Sequence, residues 1–216
     1  MNNPQRSREL KILARENGWL FQPAVDPAVI PAIAKFEFHT GEKRTIKKIE
    51  NLIAGANFSA FDVYWQGGFD PLDAAAAMTH KDSSARQIRQ QTLFVTESAD
   101  LDLPKFHVYP ADALSTIDRW LDKAFRRVSF SGYPEFEKRW SVRGDSRKIT
   151  ECFSERVIEF YLKKSDFRTF AVDNYIFIYQ PNVLTSTSRT LDLIKTALEL
   201  SDIFNSEKGN EKWIEN

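Results

Sequence analysis

Cysteine is almost missing: the chain of 216 residues holds one, Cys152. A single thiol excludes an internal disulfide and every metal site built from several cysteines. It suits a reducing compartment, so the expectation is a cytoplasmic protein or one held at the cytoplasmic face of a membrane. Long apolar runs are missing too. No stretch reaches the roughly 18 residues needed to cross a bilayer, and the nearest, AAAAM and NYIFIYQPNVL, are too short or too polar. The opening MNNPQRSREL lacks the apolar centre of a secretory signal. Net charge is absent, with 30 Lys and Arg against 30 Asp and Glu. No field of the whole molecule therefore draws nucleic acid or an anionic membrane, and such binding needs a local patch. The three histidines, His39, His80 and His107, stand in no HxxxH or HExxH spacing, and there is no glycine-rich phosphate loop and no GxSxG elbow. Neither a metal nor a cofactor is expected.

Aromatic bulk is plentiful instead. With 17 Phe, 6 Tyr and 5 Trp in a chain that is 42% hydrophobic and 28% charged, there is apolar area enough for a core without staples. One domain over residues 1–216 is expected: an N-terminal helix and proline-rich wrapped segment (1–45), a core (46–204) and a polar tail (205–216). Asn3-Pro4 starts a helix that Gly18 stops, with Leu10, Ile12 and Leu13 on its apolar side. Three prolines between Pro23 and Pro31 impose an extended connector followed by a short helix. IKKIENLIAGANFSAFDVYWQ alternates around a GAN turn and predicts a hairpin with Ile49, Phe58, Phe61, Val63 and Trp65 inward. RQIRQQTLFVTES is its return strand, separated by a polar, alanine-containing excursion over 67–86. PKFHVYP is a fourth strand, 111–126 a helix, and VSFSGYPEFEKRWSVRG extended. A helix from about Ser146 to Lys164, a hairpin turning at Asp173 and Asn174, and a helix from Thr187 to Phe204 complete the order. Hairpins outnumber crossovers, so the class is α+β with a mainly antiparallel sheet.

Chemistry has few candidates. Cys152 lies after Arg147 and Lys148 in the first turns of the 146–164 helix, where a helix amino terminus and cations would favour a thiolate. A thiol hydrolase or transferase would pair it with His107 as base. Its place on the apolar stripe Ile149, Cys152, Phe153, Val157 favours core instead. Basic residues cluster between Arg119 and Lys148 among aromatics. Arg139, Arg143 and Arg147 with Trp140 as a stacking platform would suit single-stranded nucleic acid or an anionic surface. Interrupting acids and strand alternation favour a solvated face. The 67–86 excursion, with His80, is a further binding candidate because exposed loops carry partner contacts.

FEKRWSVRGDSRKITECFSERVIEFYLKK followed by FRTFAVDNYIFIY and a last helix resembles a bacterial domain of unknown function found in proteins that are often membrane-anchored and that accompany LemA-type membrane proteins in some genomes. The matching positions are Phe136, Lys138, Arg139, Trp140, Val142 and Asp145, with Phe58, Phe61, Asp62 and Tyr64 or Trp65 upstream. The resemblance covers about residues 46–204. It implies the fold and often a membrane anchor, and it supplies no reaction, cofactor or catalytic residue. The expectation is a noncatalytic binding or regulatory domain that engages a protein or an anionic surface.

Overall fold

The computed structural model describes residues 4–36, 45–66, 88–111 and 127–211, with side chains through Glu207. His39, His80, the 67–86 excursion and the helix expected over 111–126 lie outside the described residues, Ala111 apart. Nine strands and six helices lie among the described residues, and the strands pair antiparallel. The class is α+β. The chain forms two compact units, one of residues 1–94 with 180–192 and one of residues 95–179 with 193–216.

In the first unit, α1 (Pro4–Glu16) opens on a proline, which loses no helical hydrogen bond there, and ends before Gly18, whose φ of 69° lies in the left-handed region that glycine tolerates. Its buried line is Arg6, Leu10 and Ala14, at intervals of four. Ile12 is on the other side and 41% exposed, which corrects the expected apolar face. The proline-rich stretch becomes β1 (Leu20–Val25), a short 3-10 turn (Pro27–Val29) and α2 (Pro31–Lys35). Pro23 has no N–H to give to a ladder, and β1 accordingly stands at the edge, outside β2 (Thr45–Ala54). β2 turns into β3 (Phe58–Gln66) at Gly55, whose N–H reaches the carbonyl of Phe58. The order β1-β2-β3 continues into β4 (Arg89–Glu97). Leu10, Ala14 and Ile53 make a small core with Leu13, Trp19, Phe21 and Phe58 packed on it, Trp19 meeting Phe58 edge-on at 5.0 Å.

The second unit carries β5 (Leu103–Pro110), β6 (Arg127–Val128), β7 (Trp140–Gly144), β8 (Arg168–Asp173) and β9 (Tyr175–Tyr179), in the order β9-β8-β5-β7-β6. The 128–144 stretch is not extended throughout. Pro134–Arg139 forms α3, opened by proline at its first position and by Glu135 and Glu137 in its first turn, so Phe136, Lys138 and Arg139 sit on a helix and only Trp140 onward on a strand. The expected 146–164 helix is two helices, α4 (Ser146–Cys152) and α5 (Glu155–Lys163). Ser154 divides them by accepting from the N–H of Val157, an N-cap that restarts the helix with Glu155 in its first turn. The last helix, α6 (Thr187–Glu211), continues through most of the expected polar tail.

One face of this unit's sheet is covered by helices through aromatic rings. Phe106 meets Phe153 at 5.2 Å, Trp140 meets Tyr161 at 5.2 Å, and the buried Tyr161 donates its hydroxyl to Thr169 Oγ1 at 3.0 Å. Burial pushes the Tyr161 hydroxyl well above its ordinary pKa.

Candidate functional site

Strand alternation divides the residues singled out from sequence. On β7, Trp140 and Val142 face the helices, whereas Ser141 and Arg143 face the opposite side. On β5, Phe106 and Val108 face the helices, and His107 and Tyr109 the opposite side. His107 stands directly across from Arg143 on β7 and from Phe170 on β8, and its ring stacks on Phe170 at 4.6 Å. The Arg143 guanidinium lies 5.8 Å from the Tyr109 ring centre. His107 and Arg143 are therefore brought together in one buried patch of cation, imidazole and aromatic ring. Burial, then the charges of Lys105, Arg168 and Arg143, push the His107 pKa down to about 3, so the imidazole is neutral at ordinary pH.

The other candidates separate. Cys152 is the last residue of α4, not one of its first, and its Sγ is 3.3 Å from the carbonyl oxygen of Ile149. The amino terminus of its own helix, expected beside the thiol, is at the far end, at Ser146. The next residue, Phe153, packs on Phe106, the face of β5 turned away from His107. A Cys152 and His107 pair thus has a sheet between its members. Trp140 is buried, with its Nε1 donating to the Tyr161 carbonyl at 2.8 Å, so its ring is core and offers no stacking platform. Arg139 is exposed and donates to the carbonyls of Leu162 and Lys164 at the end of α5. Arg147 is exposed and pairs with Glu151 at 3.2 Å. The three arginines expected to share a basic face are thus dispersed, one of them inside. His80 lies outside the described residues. Among the described residues no group of three or more His, Cys, Asp and Glu side chains is placed to hold a metal ion, and no helix is long and apolar enough to cross a membrane.

Two features were not picked out from sequence. The first is a polar network inside the first unit. Asp62, fully buried, accepts from Arg6 Nε at 2.7 Å and Arg6 Nη2 at 2.8 Å, from Asn51 Nδ2 at 2.9 Å and from Thr92 Oγ1 at 2.7 Å. Arg6 also donates to the Thr185 carbonyl, and the N–H of Thr185 to Thr92 Oγ1 at 3.0 Å. Asn51 reaches Asp62 because the β2–β3 register slips between Glu50 and Ile53, a bulge at which Asn51 adopts a φ of 55°. Beside it, burial and the Asp62 and Glu50 carboxylates push the Tyr64 hydroxyl above its ordinary range, and Lys48 lies 4.2 Å from the Tyr64 ring centre. Every partner here belongs to the protein itself, so the network holds the unit together. The signal in sequence was Arg6 in line with Leu10 and Ala14.

The second is an open groove in the second unit, of about 690 Å³, between α5 and α6. Positions 156, 159, 160 and 163 of α5, spaced three and four apart, form one wall, and 195, 198, 199, 202, 203 and 206 of α6 the other. Phe160, Leu198 and Ile203 make an apolar floor; Arg156, Lys163 and Lys195 stand against Glu159, Glu199 and Asp202 around it. Lys164 bridges the walls to Glu199 at 2.8 Å and Arg156 to Glu207 at 3.7 Å. In sequence these charges read as the solvated sides of two separate helices, since nothing local brings the two stripes together.

No family model matches this sequence, and no curated protein does. Among solved structures the chain is similar to the mycobacterial trehalose monomycolate transport factor A, TtfA, with a TM-score of 0.53 at 9% sequence identity over 94% of each chain. The likeness is one of fold.

Proposed function

We propose that this chain is a noncatalytic, cytoplasm-facing binding or regulatory domain of bacterial type, and that the groove between α5 and α6 is where it engages a protein. The observation that carries this is the groove's make-up: an apolar floor ringed by three cations and three anions. An anionic membrane or a phosphate backbone calls for a surface of one sign. A balanced rim over an apolar floor suits an amphipathic segment with charges of both signs, in the manner of a helix laid in a groove. The trehalose monomycolate transport named for the structural neighbour is not carried over, because a 9% identity conveys fold alone.

A photoreactive benzoylphenylalanine at position 198, irradiated in extract of the source cells, tests this. A discrete protein adduct is expected, suppressed by Lys195→Glu and missing when the probe is moved to the exposed Val183. No protein adduct at 198, with cosedimentation on anionic phosphatidylglycerol vesicles, would transfer the assignment to a membrane surface.

A further inference from the structure

We propose that the occupant of this groove is a second copy of the same chain, packed antiparallel along α6; this rests on the groove being a protein-docking surface. The groove's charges fall into two kinds. Glu159 is held by Lys163 at 3.0 Å, Glu199 by Lys164 at 2.8 Å, and Arg156 by Glu207 at 3.7 Å. Lys195 and Asp202, both exposed, enter no ion pair among the described residues. They lie seven residues apart, two turns of helix, so they share one side of α6 at a separation of roughly 10 Å along its axis.

An occupant that answers both must present an acid and a base at that same separation in the reverse order. An antiparallel copy of α6 does so without any further design. A two-fold axis between Leu198 and Glu199 brings Lys195 of one copy to Asp202 of the other, and Asp202 to Lys195. The same operation sets the half-buried Leu198 side chains of the two copies beside each other on the axis, with Phe160 beneath. Glu199, also near the axis, is the acid already neutralised by Lys164, so the like carboxylates do not oppose the pairing. Two-fold interfaces are self-complementary in this way, with residue i meeting j and j meeting i.

Sedimentation equilibrium of the purified full chain, from about 1 to about 300 µM, spans the range in which an interface resting on a few exposed pairs dissociates. A monomer–dimer equilibrium that weakens with added salt is expected. Lys195→Glu alone and Asp202→Lys alone each set like charges against each other twice per dimer and weaken it by at least about tenfold. The exchanged variant carrying both substitutions restores attraction at both contacts and recovers most of the wild-type affinity. A structural effect of either substitution would not be repaired by the other, so the rescue separates an interface from misfolding. The proposal is overturned by a wild type that stays monomeric throughout, or by a dimer that the exchanged variant holds no better than the single ones. A monomer whose position-198 photoprobe still captures a different protein removes self-pairing and leaves the groove as a docking surface; a monomer with no protein adduct removes both.

Discussion

Replacing Arg6 with methionine should be among the most costly single changes available in the first unit. Methionine keeps much of the side-chain volume and removes the charge, so Asp62, with a side-chain exposure of 1%, keeps only Asn51 and Thr92 as donors. Breaking a buried ion pair by removing one member costs about 3 to 5 kcal/mol, because an uncompensated charge stays behind. Asp62→Asn, nearly isosteric, removes instead the carboxylate charge that faces the buried guanidinium, and a cost of about the same size is expected. The double variant leaves neither member of the pair charged, so its loss should fall at least about 2 kcal/mol short of the sum of the two, the non-additivity expected of groups in one network. Hydrogen exchange read by mass spectrometry is the suitable assay, because amides of β2 and β3 report the first unit directly, where a single melting curve averages over two units. An Arg6→Met cost below about 1 kcal/mol, or strict additivity in the cycle, would refute the assignment of the network as the unit's main polar tie.

His107 should stay neutral through the ordinary range. Its folded pKa of about 3 lies below the unfolded value, so between about pH 6.5 and 3 the unfolded chain binds the extra proton and stability falls as the solution is acidified. That slope approaches roughly 1.4 kcal/mol per pH unit. NMR should show no His107 titration between about pH 5 and 8, and His107→Gln should flatten the acid limb by about one proton; an imidazole titrating near pH 6.5 would contradict the buried placement. Gly144→Ala should cost about 2 kcal/mol or more by urea denaturation: its φ is 148°, and a Cβ there would lie 2.5 Å from the Lys105 carbonyl oxygen, a backbone atom that cannot swing aside. A neutral change at Gly144 would mean that β5 and β7 do not approach this closely. Native Cys152 should react with iodoacetamide slowly, at the rate of an unactivated, half-buried thiol, and Cys152→Ser should leave the melting temperature within a few degrees. Labelling as fast as that of an activated thiolate would reopen a catalytic role.

Pieces whose causes are local were legible from residue order alone. The Asp173–Asn174 turn and the GAN turn place their hairpins because the alternating strands on either side reverse at residues that tolerate a tight bend, Asp173 taking a φ of 54°. Pro4 and Gly18 bound α1 because one lacks a donor the first turn does not need and the other admits a left-handed φ. The Ser154 cap and the Pro134 start are equally local, and Ser154 is what ends the helix at Cys152 although the apolar stripe runs on past it. Sidedness was another matter. Strands β3, β4 and β9 are buried along nearly their whole length, so alternation carries no mark of which face meets what. Only tertiary structure could turn Trp140 into the helical layer and Arg143 away from it, put a sheet between Cys152 and His107, and set Arg6 against an acid 56 positions away. The groove belongs to the same class. Its walls are lined by residues more than 30 positions apart in sequence, and a charge exposed on each helix alone becomes a lining residue only when packing brings the second helix alongside.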